Sequence, residues 1–142
     1  MKKKITIYLL VLAIICTFAL PSLADKLEVN HDEVLISPMF TYIAMAEAKL
    51  FINSSGKATV ETYVTGNSNV TSVLATIKVQ QYKGGRWTTI KTWNESSNYR
   101  ILNFNGSYHV SSGYEYRIVS TVTAYSGTQS ESTTVTSSSQ SY

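Results

Sequence analysis

Two histidines, one cysteine and nine carboxylates are the stock of acids, bases and metal donors in this 142-residue sequence, apart from its many hydroxyls. Histidine passes protons near neutral pH and ligates metals, so His31 and His109 are the first residues to weigh. His31 stands in Asn30-His31-Asp32-Glu33, which has the donor types of a metal site. Four adjacent polar residues in a charged arm read as a solvated segment instead. His109 falls on the polar face of its strand, with no carboxylate at useful spacing, so no catalytic role is assigned to it.

Serine is abundant, but it falls in turns and in the last stretch of chain. There is no Gly-x-Ser-x-Gly elbow, and no Ser-x-x-Lys with the companions that the β-lactamase chemistry needs. A glycosidase would need two carboxylates within about 10 Å of each other. Glu47, Glu61, Glu95, Glu115 and Glu131 are scattered on mostly outward positions and read as solubilising charge. No glycine loop of the phosphate-binding kind occurs. Asn53, Asn69, Asn94 and Asn105 each open an Asn-x-Ser/Thr triplet, a pattern that chance supplies in a chain this rich in Ser and Thr. No catalytic, metal or cofactor-binding residue is expected, and the protein reads as a non-enzyme.

The most informative side chains are aromatic. Tyr82, Trp87 and Trp93 flank one turn and are the candidate ligand-binding residues. Exposed aromatics on a sheet face stack on sugar rings. The competing reading is that at least one indole plugs the core. Trp87 and Trp93 share a parity that Ile90 does not, so both faces cannot be dry unless a bulge intervenes.

The elements that would position these residues are strands. From Ile43 onward, Val, Ile, Thr and Tyr recur with period two, and turn residues interrupt about every ten positions, the pattern of a sandwich or barrel. Seven strands are expected. The first covers Ile43 to Ile52, with Ala44, Ala46, Ala48, Leu50 and Ile52 on one face, although its alanines also favour helix. Lys57 to Thr65 follows, with Ala58, Val60 and Val64 inward. Ser72 to Tyr82 places Val73, Ala75, Ile77 and Val79 together. Gly84-Gly85 turns the chain into Trp87 to Trp93.

Asn105-Gly106 has the composition of a hairpin turn. A continuous strand over about 100–110 instead puts Leu102, Phe104, Tyr108 and Val110 on one face, and burying large side chains at about 1.5–3 kcal/mol each outweighs the turn preference. Gly106 is then a bulge or a close-approach point. Tyr114 to Tyr125 carries Tyr116, Ile118, Val122 and Ala124. The final 17 residues hold 11 Ser or Thr, and suggest a polar edge strand over Thr128 to Thr136 with a frayed end.

Val110, Gly113 and Tyr116 have the spacing of a tyrosine corner, whose hydroxyl bonds back to upstream backbone. The expected fold is therefore all-β, a seven-stranded immunoglobulin-like or fibronectin type III-like sandwich.

Residues 1–24 read as a signal peptide. Lys2, Lys3 and Lys4 precede an uncharged apolar run of 16 residues, Ile5 to Leu20, and Ser22-Leu23-Ala24 offers a cleavage site before Asp25. The run is short for a membrane span. Ile15 before Cys16 is too large for lipid attachment. No sorting signal follows Tyr142, so covalent wall anchoring is not expected.

Residues 25–42 form an N-terminal arm, and 43–142 the sandwich domain with a polar tail. Export of a cysteine-free domain means that its core stands without disulfides. Of the 12 basic residues three are the signal lysines, which leaves nine against nine acids in the remaining chain. A net charge of zero gives no long-range field toward nucleic acid.

The stretches Ile36-Ser37-Pro38-Met39-Phe40-Thr41-Tyr42-Ile43, Gln80 to Trp93 and Gly113-Tyr114-Glu115-Tyr116-Arg117-Ile118 resemble those of an uncharacterised family of small secreted β-sandwich proteins of Gram-positive Firmicutes. The resemblance implies an exported bacterial β-sandwich and brings no functional residues with it. The expected role is a secreted or cell-surface-associated interaction module, with a protein or a cell-wall glycan as partner and contact with the membrane only during export. The alternative is a carbohydrate-binding module that uses the aromatic hairpin.

Overall fold

A computed structural model describes residues 40–142. The expected signal peptide, and all but the last three residues of the expected arm, lie outside the described residues. Eight strands follow in order: β1 (Ile43–Ile52), β2 (Lys57–Gly66), β3 (Ser72–Lys83), β4 (Arg86–Ser97), β5 (Ile101–His109), β6 (Glu115–Ser126), β7 (Gln129–Thr136) and β8 (Gln140–Ser141). They form two antiparallel sheets. One has the order β1-β2-β5; the other has the order β4-β3-β6-β7, with β8 also paired to β6. The sheets face each other as a sandwich, and the chain crosses between them after β2, β4 and β5.

Alternation along the strands builds the core. Ala58, Val60 and Val64 from β2, Val73, Ala75, Ile77 and Val79 from β3, and Tyr116, Ile118, Val122 and Ala124 from β6 are all buried. Period-two patterning brings one set of side chains to the same face, and the opposing sheet removes that face from water. Two polar residues interrupt the apolar set. Thr62 and Ser120 are fully buried and satisfy each other through a 2.7 Å hydroxyl–hydroxyl hydrogen bond.

Two local expectations change, and one open alternative is decided. Ala44 is exposed rather than inward, because the β1–β2 register shifts between Ile43 and Met45 and leaves Ala44 as the extra residue. Beyond this bulge, Ala46, Ala48, Leu50 and Ile52 keep the inward parity. Gly106 is a close-approach point and not a bulge, since β5 pairs with β2 without a break from Ile101 to His109. The Phe104 ring folds over it, and a Cβ on Gly106 would come within 2.5 Å of that ring.

The final residues are not frayed. β8 pairs Gln140 with Tyr116 and Ser141 with Glu115, which is the eighth strand. Tyr142 N donates to the Tyr114 carbonyl at 3.0 Å, and Gln140 Oε1 accepts from Ile52 N at 2.9 Å. Backbone pairing, side-chain hydrogen bonds and the Tyr142 ring packed on the core fix a stretch that has no aliphatic residue.

Glu131 on β7 fastens the start of β1. Its carboxylate accepts from the backbone N of Thr41 (2.9 Å), Tyr42 (2.8 Å) and Ile43 (2.9 Å). β1 and β7 are the edge strands of different sheets, so this contact closes one side of the sandwich.

Candidate functional site

The candidate site is the outer face of the β3–β4 hairpin. Gly84 and Gly85 make the turn with φ of 60° and 79°, values that side chains rarely adopt. Lys83 and Arg86 face each other across it, followed by Tyr82 and Trp87. Along β3–β4 the register slips once. Val79 pairs with Lys91 and Gln80 with Thr89, which leaves Ile90 unpaired. This bulge inverts the facing of everything beyond it. Trp93 lies opposite buried Ile77 and turns inward; Trp87 lies opposite exposed Tyr82 and turns outward.

The structure therefore brings two of the three candidate aromatics together and separates the third. The Tyr82 and Trp87 rings lie 5.2 Å apart, tilted by 53°. Trp93 is half-buried on the inner side against Phe104, with centroids 5.4 Å apart, and the Lys91 ammonium lies 5.2 Å from its ring centroid. Trp93 closes the side of the sandwich between β4 and β5.

Arg117 on β6, half-buried like Trp87, completes the outer-face cluster, and the sequence reading missed it. Its guanidinium lies 4.2 Å from the Trp87 ring centroid, and its Nε donates to Gln80 Oε1 at 2.9 Å. The contact depends on the pairing of Gln80 with Arg117 across β3–β6, and no local pattern around residue 117 announces it.

The titratable residues weighed in the sequence are dispersed. His109 is exposed at the end of β5, opposite Lys57. Glu47 bonds Lys49 at 3.0 Å, which raises the lysine pKa. Glu61 accepts from Asn105 Nδ2 at 3.3 Å, and Ser139 donates to Glu115. Burial pushes the Glu131 carboxyl up, but the N–H groups of Ile43, Thr41 and Tyr42 together outweigh it and hold the group below its ordinary value. Among the described residues no three His, Cys, Asp or Glu side chains converge as a metal site.

At the other end of the sandwich, Val70, Thr71, Asn98, Tyr99, Arg100 and Ile101 line an open hollow of about 610 Å³. One Arg100 guanidinium nitrogen is engaged by the Gly66 carbonyl at 3.3 Å.

Fold and site together define a small all-β sandwich with an aromatic–cation cluster on one outer face. No family model matches the chain, and no curated protein does. Among solved structures, the solution structure of CsgH from R. palustris is distantly similar, with a TM-score of 0.38 at 12% identity over 65% of this chain and 90% of that one.

Proposed function

We propose that the chain is an exported, non-enzymatic interaction module whose contact surface is the outer face of the β3–β4 hairpin. The observation that carries this reading is the Tyr82–Trp87 pair. Two aromatic rings stand side by side on the solvent side of a paired hairpin, and Tyr82 is 41% exposed. Aromatic side chains offer large contact area at small conformational cost and recur at binding surfaces. Arg117 is already ordered against Trp87 by Gln80, so the cluster is organised before a partner arrives.

The order β1-β2-β5 against β4-β3-β6-β7, and the hydroxyl of Tyr116 bonded back to the Ser111 carbonyl, support a fibronectin type III-like arrangement. Export rests on residues 1–24 and on the resemblance to secreted proteins of Firmicutes. A second reading, a carbohydrate-binding module, is favoured by the exposed Tyr82 ring and involves Tyr82 and Trp87 without Trp93.

The test is retention of purified protein on the surface of the producing cells. Wild type is compared with Tyr82→Ala/Trp87→Ala, and thermal midpoints are measured in parallel. Lost retention with a near-normal midpoint supports the reading, and equal retention removes the hairpin as the contact surface. Hydrolytic turnover that survives repurification and disappears with a point variant would overturn the non-enzymatic part.

A further inference from the structure

Two of the eight Lys and Arg residues between positions 40 and 142, Lys78 and Arg117, share the outer face with the aromatic pair, and two more close the turn beside it. Lys78 lies on the same face of β3 as Tyr82, and Arg117 on β6 pairs with Gln80 between them. Lys83 and Arg86 bracket the glycine turn, both exposed and one residue out of phase with Tyr82 and Trp87, and the Lys83 ammonium lies 5.6 Å from the Tyr114 ring centroid. Glu115 is the carboxylate opposite Tyr82 in the β3–β6 register, and Ser139 donates to it. Among the described residues the only ion pair is Lys49–Glu47, so none of these four cations is neutralised by a described carboxylate.

Resting on the hairpin as contact surface, we propose that its ligand is an acidic polysaccharide, a polymer of carboxylate-bearing sugars. The aromatic rings take the apolar faces of sugar rings, and the cations around them take the carboxylates. A peptide adding as a strand needs an unpaired sheet edge. β3, which carries Lys78 and Tyr82, is paired on both sides, while β4, which carries Trp87, is the edge of the sheet. A strand added at that edge would leave the outer face uncovered, and contact on the face itself comes from side chains, here rings and point charges. The tilt of 53° between Tyr82 and Trp87 makes a bent surface rather than a flat one, suited to successive rings of a twisting chain.

The experiment is titration of the purified protein with polygalacturonate, followed by tryptophan emission and calorimetry. Its fully methyl-esterified form and poly-glutamate serve as comparators. Saturable binding of polygalacturonate is expected, weakened about tenfold or more by roughly 0.5 M salt, which screens exposed charges. Lys78→Gln, on the ring-bearing face, should weaken it similarly while leaving the thermal midpoint in place. Tyr82→Ala should weaken it at both salt concentrations. Equal binding of the neutral ester, equal binding of poly-glutamate, or no saturable binding overturns the proposal. If polygalacturonate fails while cells still retain the protein through Tyr82 and Trp87, only the ligand assignment falls. If retention is also indifferent to those two residues, the hairpin reading falls with it.

Discussion

The Tyr116 hydroxyl donates a 2.6 Å hydrogen bond to the Ser111 carbonyl, five residues upstream, and accepts another from Gln81 Nε2 at 3.0 Å. The residue itself is fully buried. The first bond ties the crossing between the sheets to the start of β6, and the second ties β6 to β3. Tyr116→Phe keeps the ring and removes only these bonds. A loss of about 1–3 kcal/mol is expected from the stranded partners, read as a lower urea midpoint with an unchanged slope. An unmoved midpoint would mean that the bonds carry no net stability.

Thr62 and Ser120 meet across the core, where both are fully buried and their hydroxyls bond each other. Thr62→Val preserves shape but strands the Ser120 hydroxyl, at a cost of about 1–3 kcal/mol. Ser120→Ala strands Thr62 in the same way. The double variant should recover much of the combined loss, because no buried hydroxyl is left without a partner. A double-mutant cycle in urea reads the coupling, and strictly additive losses would contradict it.

Glu131 links stability to pH. Its folded-state pKa lies below the ordinary value of 4.5, so the folded state favours the carboxylate. The resulting stabilisation is fully present above the unfolded-state value and is lost as pH falls through the depressed folded-state value. Wild type should therefore lose stability relative to Glu131→Gln as pH drops below about 4.5. Urea midpoints from pH 7 to pH 3 check this; a gap between the two proteins that stays constant across the range would exclude the carboxylate as its source.

The two indoles should separate in spectroscopy and in stability. Trp93→Ala removes a half-buried ring packed on Phe104 and should cost about 3 kcal/mol, the lower end for a core aromatic. Trp87→Ala removes an outer-face ring and should cost about 1 kcal/mol or less. Emission from the Trp87→Ala protein, which reports Trp93, should be blue-shifted and shielded from quencher relative to the Trp93→Ala protein. Equal quenching of the two would contradict the inversion at Ile90.

Period-two alternation determined the strands. Val73, Ala75, Ile77 and Val79 read as one buried face because side chains alternate by geometry along any strand, wherever it pairs. The same logic correctly denied Asn105-Gly106 a turn, since a hairpin there would have split Leu102 and Phe104 from Tyr108. Even the corner at Tyr116 was legible, because its spacing from Gly113 is local.

What tertiary structure decided were the slips in that alternation and the partners across strands. Composition does not show where a bulge falls, so Ala44 went to the wrong face and the separation of Trp87 from Trp93 waited on Ile90. Arg117 joined the candidate site only through the register that sets it beside Gln80. The tail looked frayed because residues 137–142 contain almost nothing apolar. Their order comes from backbone hydrogen bonds to Gly113, Tyr114 and Ile118, from side-chain bonds to Ile52 and Glu115, and from the Tyr142 ring packed on the core, and such contacts depend on which segments the fold brings together rather than on the residues that make them.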